Sequence, residues 1–330
     1  MTRCSCLLGS LLGASIFCTL LPGSALAKDT GYVFVSSEND NAVTVLDGKK
    51  FSVVKVIPTG KRPRDMRLSQ DGKSLYVVTS DKNQADVIDV ALLKVSQSIQ
   101  IGKDPERFVF SPDGKRMYVT NEDDAHVSVV DLASRKIVAN IPVGEEPEGI
   151  RLSPDGRRLY VASEVANMVH VIDTQTNKVI ANVMVGNRPR RLALTPDGSE
   201  IWVTNELAGS VSIIDGAKNT VKGTVDFLPK GFRKEEVTPV GIVMTRDGKT
   251  AYVTLGHANH VAIVDVAARK VLDYILVGQR PWGITLNRAE NRLFVVNGRS
   301  DDMSIIDTAT RKVLQSVPVG RVPYGAAVDD

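Results

Sequence analysis

Residues 111–131 read "SPDGKRMYVTNEDDAHVSVVD". Three consecutive acids and a histidine invite a metal or catalytic reading. The stretch is instead one copy of a repeat. It recurs as "SPDGRRLYVASEVANMVHVID" from Ser153 and "TPDGSEIWVTNELAGSVSIID" from Thr195. Looser copies start at Ser69, Thr245 and Asn287. Each copy runs on into a K-V-x-x-x-I-x-V-G-x-x-P segment or a near variant. The closing prolines are Pro63, Pro105, Pro147, Pro189, Pro239, Pro281 and Pro323, spaced 42 residues apart except for 50 between Pro189 and Pro239. Asp47, Asp89, Asp131, Asp173, Asp215, Asp265 and Asp307 keep the same rhythm.

Within one unit every segment reads as strand. "GIRLS" and "MVHVID" alternate, "RLYVAS" is rich in β-formers, and Asp-Gly marks the first turn because glycine tolerates positive φ. No segment holds a helical period over a useful length. Four short antiparallel strands in about 42 residues is the size of one propeller blade. A lone blade cannot bury both faces, whereas a ring of them can. Residues 34–57 match strands two to four of a unit, and "VPYGAAVDD" at the C-terminus matches strand one. The reading is therefore an all-β, seven-bladed β-propeller of four-stranded antiparallel blades. N- and C-terminal strands close the ring within one blade, leaving no open sheet edge.

Arg3, the apolar run "LLGSLLGASIFCTLL" and the Ala25-Leu26-Ala27 pattern read as a signal peptide at 1–27, cleaved after Ala27. The expected products are a single propeller domain at 28–330 and a periplasmic or secreted location. Cys4, Cys6 and Cys18 all fall in the leader, so the mature chain would carry no disulfide or thiolate metal site. From Lys28 onward, 40 basic residues face 38 acidic ones, which makes no electrostatic case for nucleic acid. No later apolar run is long enough to enter a membrane. A monomer without a cofactor is expected.

"YVTN" at Tyr118–Asn121, "WVTN" at Trp202–Asn205 and the two "SPDG" turns resemble the YVTN family of β-propeller repeats, over essentially all of residues 31–330. With a leader, seven units and no appended domain, the chain is most similar to exported propellers associated with alcohol catabolism that depends on pyrroloquinoline quinone (PQQ). That resemblance implies a periplasmic accessory protein. It does not imply that the chain itself binds the quinone.

Propeller topology puts the proline loops and the turns between strands two and three on one face, and the Asp-Gly turns on the other. The residue after each proline then lines one mouth of the channel: Arg64, Glu106, Glu148, Arg190, Val240, Trp282 and Tyr324. Arg107, Arg191 and Arg280 add positive charge nearby. A second ring follows the "YVTN" asparagine, with glutamates at Glu38, Glu122, Glu164 and Glu206. The candidate ligand-binding set is Arg64, Glu106, Glu148, Arg190, Trp282, Tyr324, Glu122, Glu164 and Glu206. Arginines suit bidentate contacts to an anion or carbonyl, and the aromatic pair suits stacking. The alternative is that Arg and Glu pair between blades and fix the ring. As loop residues, Arg64 and Arg190 are expected to matter more for binding than for folding.

No histidine joins a metal set. His126 and His260 hold one repeat position in distant blades, and His257 lacks a third ligand near His260. "EDD" at 122–124 lacks the glycine of a calcium loop and reads as a solvated turn. The insertion at 226–236, with Phe227, Phe232, Arg233 and Lys234, is expected to overhang the mouth as a lid or docking tab. The favoured function is a non-catalytic binding or scaffold protein for a periplasmic protein partner or a small anionic ligand. The alternative is a lactonase-like hydrolase drawing its base or metal from Glu122, Glu164, Glu206 and His257.

Overall fold

The computed structural model describes Met1 and residues 29–330. The rest of the expected leader, its cleavage point and its cysteines lie outside them. The blade carrying the opening stretch is built from Pro105–Phe110, Arg116–Asn121, His126–Asp131 and Lys136–Pro142, paired in that order. "SPDG" is the turn between its first two strands. Asp113 Oδ1 accepts from Ser111 Oγ and from Lys115 N at 3.0 Å, and Gly114 takes φ +66°. An L side chain is strained there, and glycine is not.

Strands two and three of this blade are buried on both faces. Met117, Val119 and Val130 pack toward the preceding blade, whereas Tyr118, Val127 and Val129 pack toward the following one. The "YVTN" segment is therefore a run of β-formers rather than a strict alternation, since neither face meets water. Strand four alternates outward and is largely exposed, as at Lys136–Pro142.

Seven such sheets form the ring. Six run in chain order at 63–100, 105–142, 147–184, 189–226, 239–276 and 281–318. The seventh pairs Pro323–Asp329 with Tyr32–Ser37, followed by Ala42–Asp47 and Val53–Pro58. Thr30 N and Oγ1 donate to Asp329 Oδ2 at 2.9 and 2.6 Å, so the two ends of the chain are tied. The first strands of consecutive blades lie side by side around the channel. No helix among the described residues is long and apolar enough to cross a membrane.

The insertion follows Thr220–Asp226 and holds one 3-10 turn, Lys234–Glu236. Phe227 is fully buried between the fourth and fifth blades. Phe232 meets His260 edge to face at 5.6 Å, and Leu228 N donates to Tyr274 Oη at 2.9 Å. Both partners belong to the outer strands of the fifth blade, so the segment is seated toward the rim. It is not a lid over the channel. Its exposed charges are of both signs, Lys230, Arg233 and Lys234 beside Asp226 and Glu235.

Candidate functional site at the channel mouth

A repeated β-bulge builds the mouth. In the first blade Pro63 pairs Thr79 and Met66 pairs Val77, so one extra residue sits on strand one. The same shift recurs in the other blades, including Pro323 and Gly325 against Ser37 and Ser36. Bulges re-aim side chains, and here the two residues after the proline leave the ladder at the channel in six blades, and Tyr324 alone does so in the closing one. The residue before the proline is left-handed, as at Arg62, Asp104, Arg188 and Arg280. Its carbonyl accepts the N–H of the position after the strand-two asparagine, as in Glu122 N to Asp104 O and Glu206 N to Arg188 O. These bonds hold the glutamate ring against the proline loops.

The candidate residues converge into one charged network. Arg64 Nε stands 3.0 Å from Glu38 Oε1, and its Nη1 contacts Glu106. Arg190 Nε lies 2.6 Å from Glu148 Oε2, while Nη1 contacts Glu164 and approaches Glu206 to 3.6 Å. Tyr324 Oη donates to Glu148 at 3.1 Å. Trp282 and Tyr324 meet at 5.5 Å and 69°. Arg64 and Arg191 cover the Tyr324 ring, and Arg190 and Arg280 cover Trp282, at 5.0–5.6 Å. Glu122 stands apart, beside Asp104 and Glu106. The carboxylate oxygens of these three lie within 4.8 Å of one another, the one place among the described residues where such a cluster could take a cation. Arg62, 3.1 Å from Asp104 and 3.9 Å from Glu106, already supplies countercharge there.

The expectation that Arg64 and Arg190 are loop residues with little bearing on stability is wrong. Both lie within strands and are 8% and 7% exposed. Removing one partner of a buried ion network leaves an uncompensated charge, at a cost of about 3–5 kcal/mol. Pairing between blades is realised. Residue-by-residue reading also misses Arg62, Asp104, Arg188 and Arg299. The first three share the position before the proline, where Arg recurs at 62, 188 and 280, and that recurrence is the signal.

The network holds two unlike carboxyls. Burial and the negative charge of Glu148 push the Glu164 carboxyl up to about 8, against the pull of Arg190. Burial also works to raise Glu148, but Arg190, Arg191 and Arg107 outweigh it and hold that group low. The two carboxyls are thus driven apart, Glu164 toward its protonated form and Glu148 toward its ionised one. A pocket of about 320 Å³, lined by Arg280, Trp282, Gly298, Arg299 and Tyr324, opens in the same mouth, and its wall reaches Glu148 through the Tyr324 hydroxyl. Gly298 in its wall stands where four other blades carry glutamate, which leaves the space open. Trp282 Nε1 is buried without a hydrogen-bond partner. Arg280 Nη2 ties the pocket to Glu206 at 2.8 Å, and Arg188 joins Glu206 to Glu164 at 3.3 and 2.7 Å.

The histidines stay outside this machinery. His170 is buried and structural, with Nδ1 on Asn182 at 2.7 Å and Nε2 on Gly144 N at 2.8 Å. His260 packs under Phe232. His257 is the one histidine near the mouth. Burial and then the charges of Arg280 and Arg299 hold its pKa below the usual range.

Fold and mouth together define a seven-bladed β-propeller with an acid–base row beside a concave pocket. The model of the seven-bladed β-propeller lactonase family matches residues 92–212 and 173–319, more than half of the sequence. The chain belongs to that family. No curated protein sequence matches it. Among solved structures, the periplasmic gluconolactonase of Pseudomonas aeruginosa is similar at 21% identity and TM-score 0.76, covering 91% of this chain and 99% of that one. Hydrazine synthase of Kuenenia stuttgartiensis gives 21% and 0.78, covering 85% and 93%. A functionally unknown protein from Desulfotomaculum acetoxidans gives 19% and 0.76, covering 91% and 99%. At such identities these structures share the fold alone.

Proposed function

We propose that the protein is a hydrolase of small lactones, with the channel mouth as its active site. The observation that carries this reading is the unlike pair Glu148 and Glu164, joined to the Trp282–Tyr324 pocket through Tyr324 Oη and through the Arg280–Glu206–Arg188 chain. Pairs of carboxyls driven apart in pKa are how one site supplies both an acid and a base. Opening a lactone needs water delivered to the carbonyl, charge stabilised on the carbonyl oxygen, and a proton returned to the departing ring oxygen. In this reading the ionised form of Glu164, which gains population as pH rises toward about 8, takes the proton from water and returns it to the ring oxygen. Arg280, at the pocket wall, stabilises the oxyanion. Trp282 and Tyr324 seat the ring. Membership of the lactonase family supports the hydrolytic alternative over the accessory role linked to PQQ-dependent catabolism.

The test is hydrolysis of glucono-1,5-lactone and a panel of five- and six-membered lactones, measured against the uncatalysed rate. Glu164→Gln should lower kcat by about 10²–10⁴-fold, the usual worth of a general base. The parent's kcat/KM should rise with pH through about 8, where Glu164 ionises. A second reading, a non-catalytic binding mouth, draws on the close pairing of arginines with carboxylates around the network. It would be preferred if no lactone were turned over and Trp282 fluorescence still responded to an anionic ligand.

A further inference from the structure

The opposite end of the channel is a different chamber. It opens on the face of the Asp-Gly turns and encloses about 530 Å³. Its cationic wall is Arg67, Arg107 and Arg151, from the first strands of the first three blades. Its apolar wall, from the sixth and closing blades, includes Ile284, Ala326 and Ala327. Arg191 approaches from the layer above, donating Nη1 to Trp282 O at 3.1 Å.

Countercharge is scarce here. Asp65 is the sole carboxylate on the chamber wall, and Arg107 takes it at 2.9 Å with Arg67 at 3.4 Å. Arg151 donates Nη1 to its own neighbour, Ile150 O, at 3.1 Å, and no ion pair of Arg151 occurs among the described residues. Arg191 has a side chain 6% exposed, its Nε 3.6 Å from Glu148 Oε1 and its Nη2 buried without a hydrogen-bond partner. On the chamber wall itself, three guanidiniums thus face one carboxylate. Burial, then the charges of Arg67 and Arg107, hold the Arg151 pKa well below its ordinary value. Buried unpaired donors and facing like charges are each destabilising. Nothing in the fold requires them, since the other blades place Val109, Ala193, Val243, Thr285 and Ala327 where Arg67 and Arg151 stand.

We propose that this chamber binds a small organic oxyanion of charge −2 or more, its charged head held by Arg67, Arg107 and Arg151 and its apolar part laid against Ile284 and Ala326. Guanidinium forks match the paired oxygens of phosphate and carboxylate. The apolar wall opposite them favours an anion with a hydrocarbon body over a bare one. The site lies across the channel from the proposed hydrolytic mouth and does not depend on it.

Titration calorimetry and thermal melts of the protein test this, with inorganic phosphate, phenyl phosphate and succinate as probes and sodium chloride at matched ionic strength as control. The dianions should bind saturably and raise Tm, and chloride should not. Phenyl phosphate should bind more tightly than inorganic phosphate. Arg151→Gln should weaken binding by about tenfold or more, equivalent to about 1.4 kcal/mol, and should melt no lower than the parent because one of several like charges is gone. Arg151→Lys keeps the charge but loses the fork, and should fall between the two. The proposal is overturned if no dianion binds saturably, or if all three proteins bind equally. It is also overturned if Arg151→Gln collapses Tm while Arg151→Lys restores it without any anion effect, since Arg151 is then a structural strut.

Discussion

Glu164, the proposed base, would couple chemistry to stability. Its folded pKa is raised above the unfolded carboxyl value, so its contribution is fully present below about pH 4.5. That contribution is lost as pH rises toward about 8. Glu148 runs the opposite way, because its pKa is depressed and its contribution fades as pH falls below the ordinary carboxyl range. Melting temperature should therefore decline from pH 5 to pH 9 in the parent. Glu164→Gln, which cannot ionise, should show a flatter profile, and differential scanning calorimetry across that range reads the difference. Equal slopes would mean that Glu164 is not held protonated. Trp282 and Tyr324 are legible from sequence because they interrupt a repeat position otherwise filled by charge or Val240. The burial of Arg190 is not, since a residue following a proline reads as loop until the bulge that carries it inward is seen. Arg151 is harder still, because its partners in the chamber sit at two different repeat positions.

At the scale of elements, the insertion after Asp226 is the clearest departure from expectation. Its length and its place between strands four and one are plain in the sequence, but its direction is set by where Phe227 finds cover. The fifth blade offers Tyr274 and His260 at the rim, and the loop follows them outward. Phe227→Ala should cost about 3–5 kcal/mol as a buried aromatic truncation. Leu228→Ala, at a side chain 58% exposed, should stay within about 0.5 kcal/mol. Urea unfolding of the two variants decides it. Similar losses in both would show that the segment acts through Leu228, as a docking tab would. Glycines at the inner strands carry a constraint of another kind. A Cβ on Gly283 would lie 2.5 Å from Tyr324 O, so the sixth and closing blades can approach only where no side chain intervenes.

For the whole molecule, the blade count and the closure follow from the 42-residue period and the two partial units, because a repeat that cannot bury itself leaves few architectures open. Which end of the channel holds the proposed active site and which the cationic chamber does not follow, since both depend on residues that break the repeat. The closing blade makes a separate demand on time. Tyr32–Ser37 is among the first strands to be synthesised and its inner partner, Pro323–Asp329, is the last, with Thr30 and Asp329 299 residues apart in sequence. A strand waiting that long for its partner makes ring closure the slow step, because distant contacts are the costliest to bring together. Joining residues 29 and 330 by a short linker and opening the chain between residues 100 and 105 would turn that pairing into a hairpin. Such a permutant should melt within a few degrees of the parent yet refold markedly faster in stopped-flow fluorescence, whereas equal rates would place the barrier elsewhere. In the natural order, the first blade to begin is the last to finish. A chain cut short anywhere before its final strand never becomes a ring, so the closing blade serves as a test of completeness that only a full-length product can pass.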